Sequence, residues 1–339
     1  MEIFQPEQIR FFDVKEKIMK RIFFIFIFLT IFAVNCFAQN TPTDNGGEAV
    51  RIDARSEKGF AYPYYLYVPP ELRDVAARKT AHTILVLPNN TGKLSDDFAV
   101  HEADVKKRMG QVSQIAALLK VAVLMPVFPR PETDWKIYTH ALDRDAMTTD
   151  KKEYARYDLQ LAAMIDDART RLKKDGMKFE RQVLINGFSA SGMFANRFTF
   201  LHPTRVKAAA VGSPGGWAIA PVERYKEKDL RYPIGTGDFK EISGKKLDMK
   251  NLRKVPMFVF IGDEDENDSV VFGDSYEDAD KDLIFALFGK TPVERWEISK
   301  TLYAENKMNA TFKLYPNVKH TVTTEMRDDI RDFLKKYAK

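Results

Sequence analysis

Cysteine is almost missing from this chain of 339 residues, whose single example is Cys36. If the chain is cut after Ala38, the remaining 339 less 38, or 301, residues have none, which excludes disulfides and thiolate metal sites and leaves stability to an apolar core. Long apolar runs are scarce as well. The nearly unbroken stretch from Ile22 to Val34 is about 13 residues, short of the roughly 17 to 25 that a membrane-crossing helix needs. Lys20-Arg21 precedes it and Cys36-Phe37-Ala38 closes it on a small residue, the layout of a cleaved export signal. Residues 1–38 are therefore expected to be a signal peptide, with Met19 as an alternative start, and the mature protein to be periplasmic or extracellular without a stable membrane span. A lipidated Cys36 is the competing reading, but Ala33-Val34-Asn35 lacks both the leucine and the small residue that would precede such a cysteine.

A basic stripe is also lacking. The net charge of +5 falls to +4 without residues 1–38, which hold five Lys/Arg and four Asp/Glu, and the basic residues are scattered, so nucleic acid is not an expected partner. There is no glycine-rich nucleotide loop and no His/Cys/Asp cluster at zinc spacing. The acidic run Asp263–Asp268 misses a calcium loop. Its sixth position is Asp268 where a glycine should turn the chain, and its twelfth is Asp274 rather than glutamate. No cofactor and no metal are expected.

What is present is the composition of an ordinary globular protein, 45% apolar, and an alternation of strands with helices. A polar linker over 39–49 leads into one α/β domain over 50–339. Strands are predicted over Gly59–Val68, Thr83–Leu87, Val121–Met125, Gln182–Ile185, Val206–Val211, Val255–Ile261 and Thr311–Tyr315. Apolar residues at three- and four-residue spacing predict helices over Asp104–Lys120 and Lys152–Lys174. This order implies a mainly parallel central sheet covered by helices on both faces. Two segments break the alternation, near 128–150 and 217–254. Long irregular insertions in a compact domain are usually functional or disordered, and both follow strands ending on one edge, so they are expected to roof a pocket.

The chemistry is concentrated in Gly187-Phe188-Ser189-Ala190-Ser191-Gly192, directly after the Val183-Leu184-Ile185 run. A sharp strand-to-helix turn lifts its serine into the open and needs small residues two before and two after. Gly187 fits; Ser191 stands where a second glycine is usual, and Gly192 follows it. Serine needs a base to take its proton, and the base needs a carboxylate to hold its tautomer. Gly262-Asp263-Glu264-Asp265 follows one late strand and Pro316-Asn317-Val318-Lys319-His320 follows the last, which supplies both in order.

On these three motifs the chain resembles the α/β-hydrolase fold family over roughly residues 50–339, and within it the secreted feruloyl-esterase and polyhydroxybutyrate-depolymerase type, with the peptidase branch close. The resemblance implies a carboxylic ester hydrolase working through an acyl-enzyme, with Ser189 as nucleophile, His320 as base and Asp265 as acid; Asp268 is an alternative acid. It also implies an oxyanion hole made by the Ala190 N–H and a second N–H from Asn89 or Asn90. Trp135, His140 and Trp217, on the two insertions, are candidate substrate contacts. His202 is expected to satisfy the carbonyls ending its helix. A serine peptidase and a non-catalytic binding protein on the same scaffold are the alternative functions.

Overall fold

The β-branched and leucine runs become strands, and in the computed structural model, which describes residues 47, 49–90 and 92–338, eight of them form one sheet. The expected signal peptide and most of the linker lie outside the described residues. The strands are β1 (Val50–Ile52), β2 (Tyr64–Tyr67), β3 (Ile84–Val86), β4 (Ala122–Pro126), β5 (Val183–Phe188), β6 (Val206–Gly212), β7 (Met257–Gly262) and β8 (Ala310–Tyr315). Their spatial order is β1-β2-β4-β3-β5-β6-β7-β8. From β4 to β8 every neighbouring pair is parallel, while β2 runs antiparallel to both β1 and β4.

Period-2 alternation divides each strand between two cores. Val183 and Ile185 of β5 face one apolar cluster with Leu161, Ile165 and Phe194 of the covering helices, whereas Leu184 faces the other with Val105, Ala116 and Met326. The first face is covered by helices Tyr157–Lys174, Ala190–Leu201 and Pro292–Glu305, the second by Phe98–Met109, Ser113–Leu119 and Thr324–Tyr337. The chain builds leftward from β3 to β4 and then crosses to β5, so the sheet changes direction between β3 and β5. In open α/β sheets that carboxyl-end crevice is where ligands bind.

Three expectations are corrected. The single helix over Asp104–Lys120 is two, Phe98–Met109 and Ser113–Leu119, because Gly110 ends the first after Asp97 has capped it by accepting the Ala99 N–H. The Lys152–Lys174 helix begins at Tyr157, where Arg156 turns in at φ 54°. The early strand is limited to Tyr64–Tyr67, and a short edge strand over Val50–Ile52 escaped the reading because only one of its three residues is buried.

Among the described residues no helix is long and apolar enough to cross a membrane. His202 does not cap its helix with its side chain. Its Nε2 meets Asp158 Oδ2 at 2.9 Å, and Arg156, itself partly exposed, grips the same buried carboxylate at 2.9 Å. Burial raises the Asp158 carboxyl, but the bonds from His202 and Arg156 more than reverse this and hold it at about 2. A carboxyl depressed in the folded state stabilises above its unfolded value and loses that contribution as pH falls through the folded one. Asp158→Asn should therefore cost about 3–5 kcal/mol at pH 7. In urea titrations that deficit should narrow as the pH falls from about 4 toward 2, and a deficit unchanged over this range would contradict the assignment.

Candidate active site

The Gly187–Gly192 turn sits where β5 gives way to the Ala190–Leu201 helix. Ser189 has φ 61° and ψ −129°, a region an L-residue enters only when its surroundings impose it, at a cost of about 1–3 kcal/mol. The surroundings are backbone. A Cβ on Gly187 would lie 2.0 Å from the Ser191 carbonyl oxygen, and one on Gly192 would lie 2.2 Å from that of Gly212 at the end of β6. The Ser189 N–H donates to the same Gly212 oxygen at 3.0 Å. Ser191 closes the turn from within: its hydroxyl accepts the Phe188 N–H at 3.0 Å and donates to the Phe188 oxygen at 2.8 Å. That pair of hydrogen bonds within the turn is why a serine serves at the second small position.

His320 and Asp265 come together. His320 Nδ1 lies 2.9 and 3.0 Å from the two Asp265 oxygens, and its ring stacks obliquely on Phe188, the residue before Ser189, with centroids 4.8 Å apart. Asp265 is buried and His320 partly open. The two loops approach because the β7–β8 ladder continues past the strands: the Asp263 N–H donates to the Tyr315 oxygen and the Glu264 N–H to the Val318 oxygen. Gly262 permits it, since a Cβ there would lie 1.9 Å from the Val318 oxygen. Burial pushes the Asp265 carboxyl up, yet the hydrogen bond and charge of His320 bring it net below the usual carboxylate range. The Ser213 hydroxyl, buried nearby without a well-aligned partner, and the Asn267 N–H add to that pull.

Asp268 does not face the histidine. Its carboxylate forms an ion pair of 2.6 Å with Arg295 and accepts the Val270 N–H, both deep in the protein. Ala190 is the first residue of the elbow helix, where an N–H has no partner within the helix and the helix dipole is positive. Across the sheet switch, Asn89 is locked to the segment after β4: its side chain accepts the Phe128 N–H at 3.1 Å and donates to the Phe128 oxygen at 2.8 Å. Asn90 is less buried, and its carbonyl accepts from Arg108.

Two of the proposed substrate contacts are corrected. His140 is fully buried, with Nε2 2.6 Å from the Phe128 oxygen and 3.2 Å from Asn89, so it buttresses the turn after β3. Trp217 is buried as well, stacked on Phe288 at 4.2 Å and donating its indole N–H to the Ile234 oxygen. Both side chains are big enough to be core, and an aromatic in an irregular segment carries no signal that separates the cases. Trp135 is 41% exposed.

The insertions do pack over the elbow. Tyr138, Trp217, Ala220, Leu230 and Ile234 share a third apolar cluster with Ala190 and Met193. Arg197 of the elbow helix, fully buried, donates to the Ala141 oxygen and to the Tyr276 hydroxyl, which ties that helix to both the first insertion and the segment after β7. A polar cavity of about 450 Å³ opens in this roof among Lys136, Asp143, Asp145, Asp274 and Tyr276; neither Ser189 nor His320 lines it. Ser213, Arg197 and Arg295 were not read from the sequence. Ser213 had one cue, its place between Gly212 and Pro214-Gly215-Gly216 at a strand end.

No protein-family model matches the chain, and no curated protein matches it significantly in sequence. Among solved structures it is similar to poly(aspartic acid) hydrolase-1 from Sphingomonas sp. KT-1, at 18% identity and a TM-score of 0.52 over 86% of this chain and 98% of that one. A poly(3-hydroxybutyrate) depolymerase from Bordetella parapertussis aligns at 16% identity and a TM-score of 0.49, over 81% of this chain and 85% of that one. An S-formylglutathione hydrolase from Agrobacterium tumefaciens aligns at 15% identity and 0.47, over 89% and 98%. With the sheet order and its crossover, the first of these likenesses defines the fold: the chain has the α/β-hydrolase fold.

Burial holds the His140 imidazole down to about 3, while an unfolded histidine titrates near 6.5. The unfolded chain then binds a proton that the folded one refuses, so stability is lost as pH falls below about 6.5. Asp143, pushed up by burial to about 8, acts in the opposite sense over the same range, so the test is a comparison with a variant. The free energy of unfolding of His140→Asn should fall less steeply between about pH 6.5 and 4.5 than that of the parent, in urea titrations at each pH. Parallel curves would show that His140 titrates normally.

Proposed function

We propose that this chain is an exported serine hydrolase that cleaves a carboxylic ester through an acyl-enzyme, with Ser189, His320 and Asp265 as the triad. One observation carries the reading. A histidine held through Nδ1 by a buried carboxylate lies against the residue preceding a serine that is forced into a strained turn at the carboxyl edge of the sheet. The naming of one similar solved structure as a poly(aspartic acid) hydrolase supports it, and the segment from Lys20 to Ala38 supports export.

In this reading Asp265 fixes the tautomer that carries the proton on Nδ1, leaving Nε2 to accept the Ser189 proton as Oγ attacks the ester carbonyl. The tetrahedral oxyanion is stabilised by the Ala190 N–H at the helix N-terminus and by an N–H of Asn89 or Asn90, whose turn is held rigid by the bonds between Asn89 and Phe128. His320 then gives the proton to the departing alcohol. Water enters and attacks the acyl carbon as His320 takes its proton, and His320 returns that proton to Ser189 Oγ as the bond to the acyl carbon breaks and the acid leaves.

Ser189→Ala and His320→Ala should each lower turnover of an activated ester on the order of 10⁴- to 10⁶-fold, because the triad acts as a unit. Asp265→Asn should cost about 10⁴-fold in kcat, and Asp268→Asn far less. Retained turnover in Ser189→Ala, or no reaction of the parent with a fluorophosphonate probe, overturns the reading. Cleavage of amides but not esters of matched acyl group would make the protein a peptidase instead.

Gly187→Ala tests the elbow separately. Its methyl would meet backbone that cannot step aside, so the variant should lose fluorophosphonate labelling and melt well below the parent. Unchanged labelling would show that the turn is looser than described.

A further inference from the structure

Arg295 is a charged side chain with 1% exposure, held on the Pro292–Glu305 helix just inside a capping box formed by Thr291 and Glu294. Its guanidinium reaches three segments. It donates Nε–H to the Gly216 oxygen at 2.9 Å, in the loop after β6; Nη2 lies 2.6 Å from Asp268 Oδ2, in the loop after β7, a close contact of opposite charges without the alignment of a hydrogen bond; and Nη1 approaches the Gly289 oxygen at 3.4 Å. The packing leaves no slack, because a Cβ on Gly216 would lie 2.4 Å from Asp268 Oδ1 and 2.8 Å from Arg295 Nη2. Asp265 belongs to the second of these loops, and Ser213 of the first stands beside it. Asp265 and Asp268 lie in consecutive turns, in which Asp265 Oδ1 accepts the Asn267 N–H and Asp268 Oδ1 accepts the Val270 N–H. The other loop begins at Ser213, whose N–H donates to the Phe260 oxygen of β7 at 2.7 Å.

We propose that the Arg295–Asp268 ion pair is a latch that positions Asp265: by gripping the loops after β6 and β7 together, three residues beyond Ser213 and three beyond Asp265, it fixes where the acid meets His320. Asp268 is thus a second carboxylate serving the site without touching the histidine, and Arg295 is a positioning residue supplied from a helix that contributes no catalytic group. The proposal rests on the triad reading above. It differs from a stabilising ion pair in what it requires, since a displacement of about 1 Å at a catalytic group is enough to cost on the order of 10²-fold in rate.

The test is a double-mutant cycle on the full-length protein, read below the melting temperature of each variant. Arg295→Met and Asp268→Asn should each lower kcat on the order of 10²-fold with KM little changed, and Arg295→Lys, which keeps the charge, should recover part of the loss. In an Asp265→Asn background the same substitutions should cost almost nothing more, because the carboxylate they act through is gone. Equal losses in both backgrounds, or a melting temperature that falls while kcat holds, would overturn the latch. If Arg295→Met does not fold, Asp268→Asn, which keeps the side-chain volume, carries the cycle alone. A parent protein whose Ser189 ignores a fluorophosphonate probe sinks the triad reading instead, so the two failures are distinct.

Discussion

The arrangement depends on the continuation of the β7–β8 ladder beyond the ends of its strands. Two backbone hydrogen bonds, from Asp263 to Tyr315 and from Glu264 to Val318, draw the loops together. Asp265 and His320, 55 positions apart in the chain, thereby come within hydrogen-bond distance. The approach is possible because residue 262 has no side chain to stand between the loops. A methyl there would face a carbonyl oxygen on main chain that is itself hydrogen-bonded, so relief would require the ladder to open. The same logic recurs at the elbow, where Gly187 and Gly192 let β5, β6 and the following helix close around Ser189. Backbone contact at these three glycines sets the course of the main chain that carries the candidate reactive groups.

The strands and the triad candidates were legible because they obey local rules. Val183-Leu184-Ile185 and Met257–Gly262 are apolar on both faces, as parallel strands covered by helices must be, and each candidate residue stands a fixed short step beyond such a run. The roof was legible only as an interruption. His140 and Trp217 looked like pocket residues since a histidine and a tryptophan in irregular segments have no periodicity to declare a buried face. Their partners, Phe128 and Asn89 for one, Phe288 and Ile234 for the other, lie 12 to 71 positions away. Whether such a side chain is core or surface is decided by tertiary packing alone. Arg295 shows the same limit from the other side, for nothing in Pro292-Val293-Glu294-Arg295 separates an exposed helix charge from a buried one.

The roof is held by buried guanidinium groups as well as by its apolar cluster. Arg197 joins the elbow helix to Ala141 and Tyr276, Arg130 pairs with Asp274 while lying over the Tyr138 ring at 3.8 Å, and Arg295 joins Gly216 to Asp268. Buried ion pairs add little net stability, because desolvating the charges offsets their attraction. What they supply is direction. A guanidinium presents several donors in a rigid plane, so it accepts only a few arrangements of the carbonyls and carboxylates around it. An irregular segment has no ladder of its own to fix its course, and such directional contacts are a physical substitute for one.

Ser191 brings these arguments back to the elbow. A glycine at that position would relieve crowding but offer no side-chain partner to the Phe188 amide and carbonyl. The serine hydroxyl meets both at once, accepting from one and donating to the other. The crowding it would otherwise create is taken up by Gly192, one residue on, which lies against the Gly212 oxygen. The departure from the usual glycine thus divides one residue's work between two, hydrogen bonding at 191 and close approach at 192. The Ser191 hydroxyl is thereby committed in both directions to the backbone of its own turn.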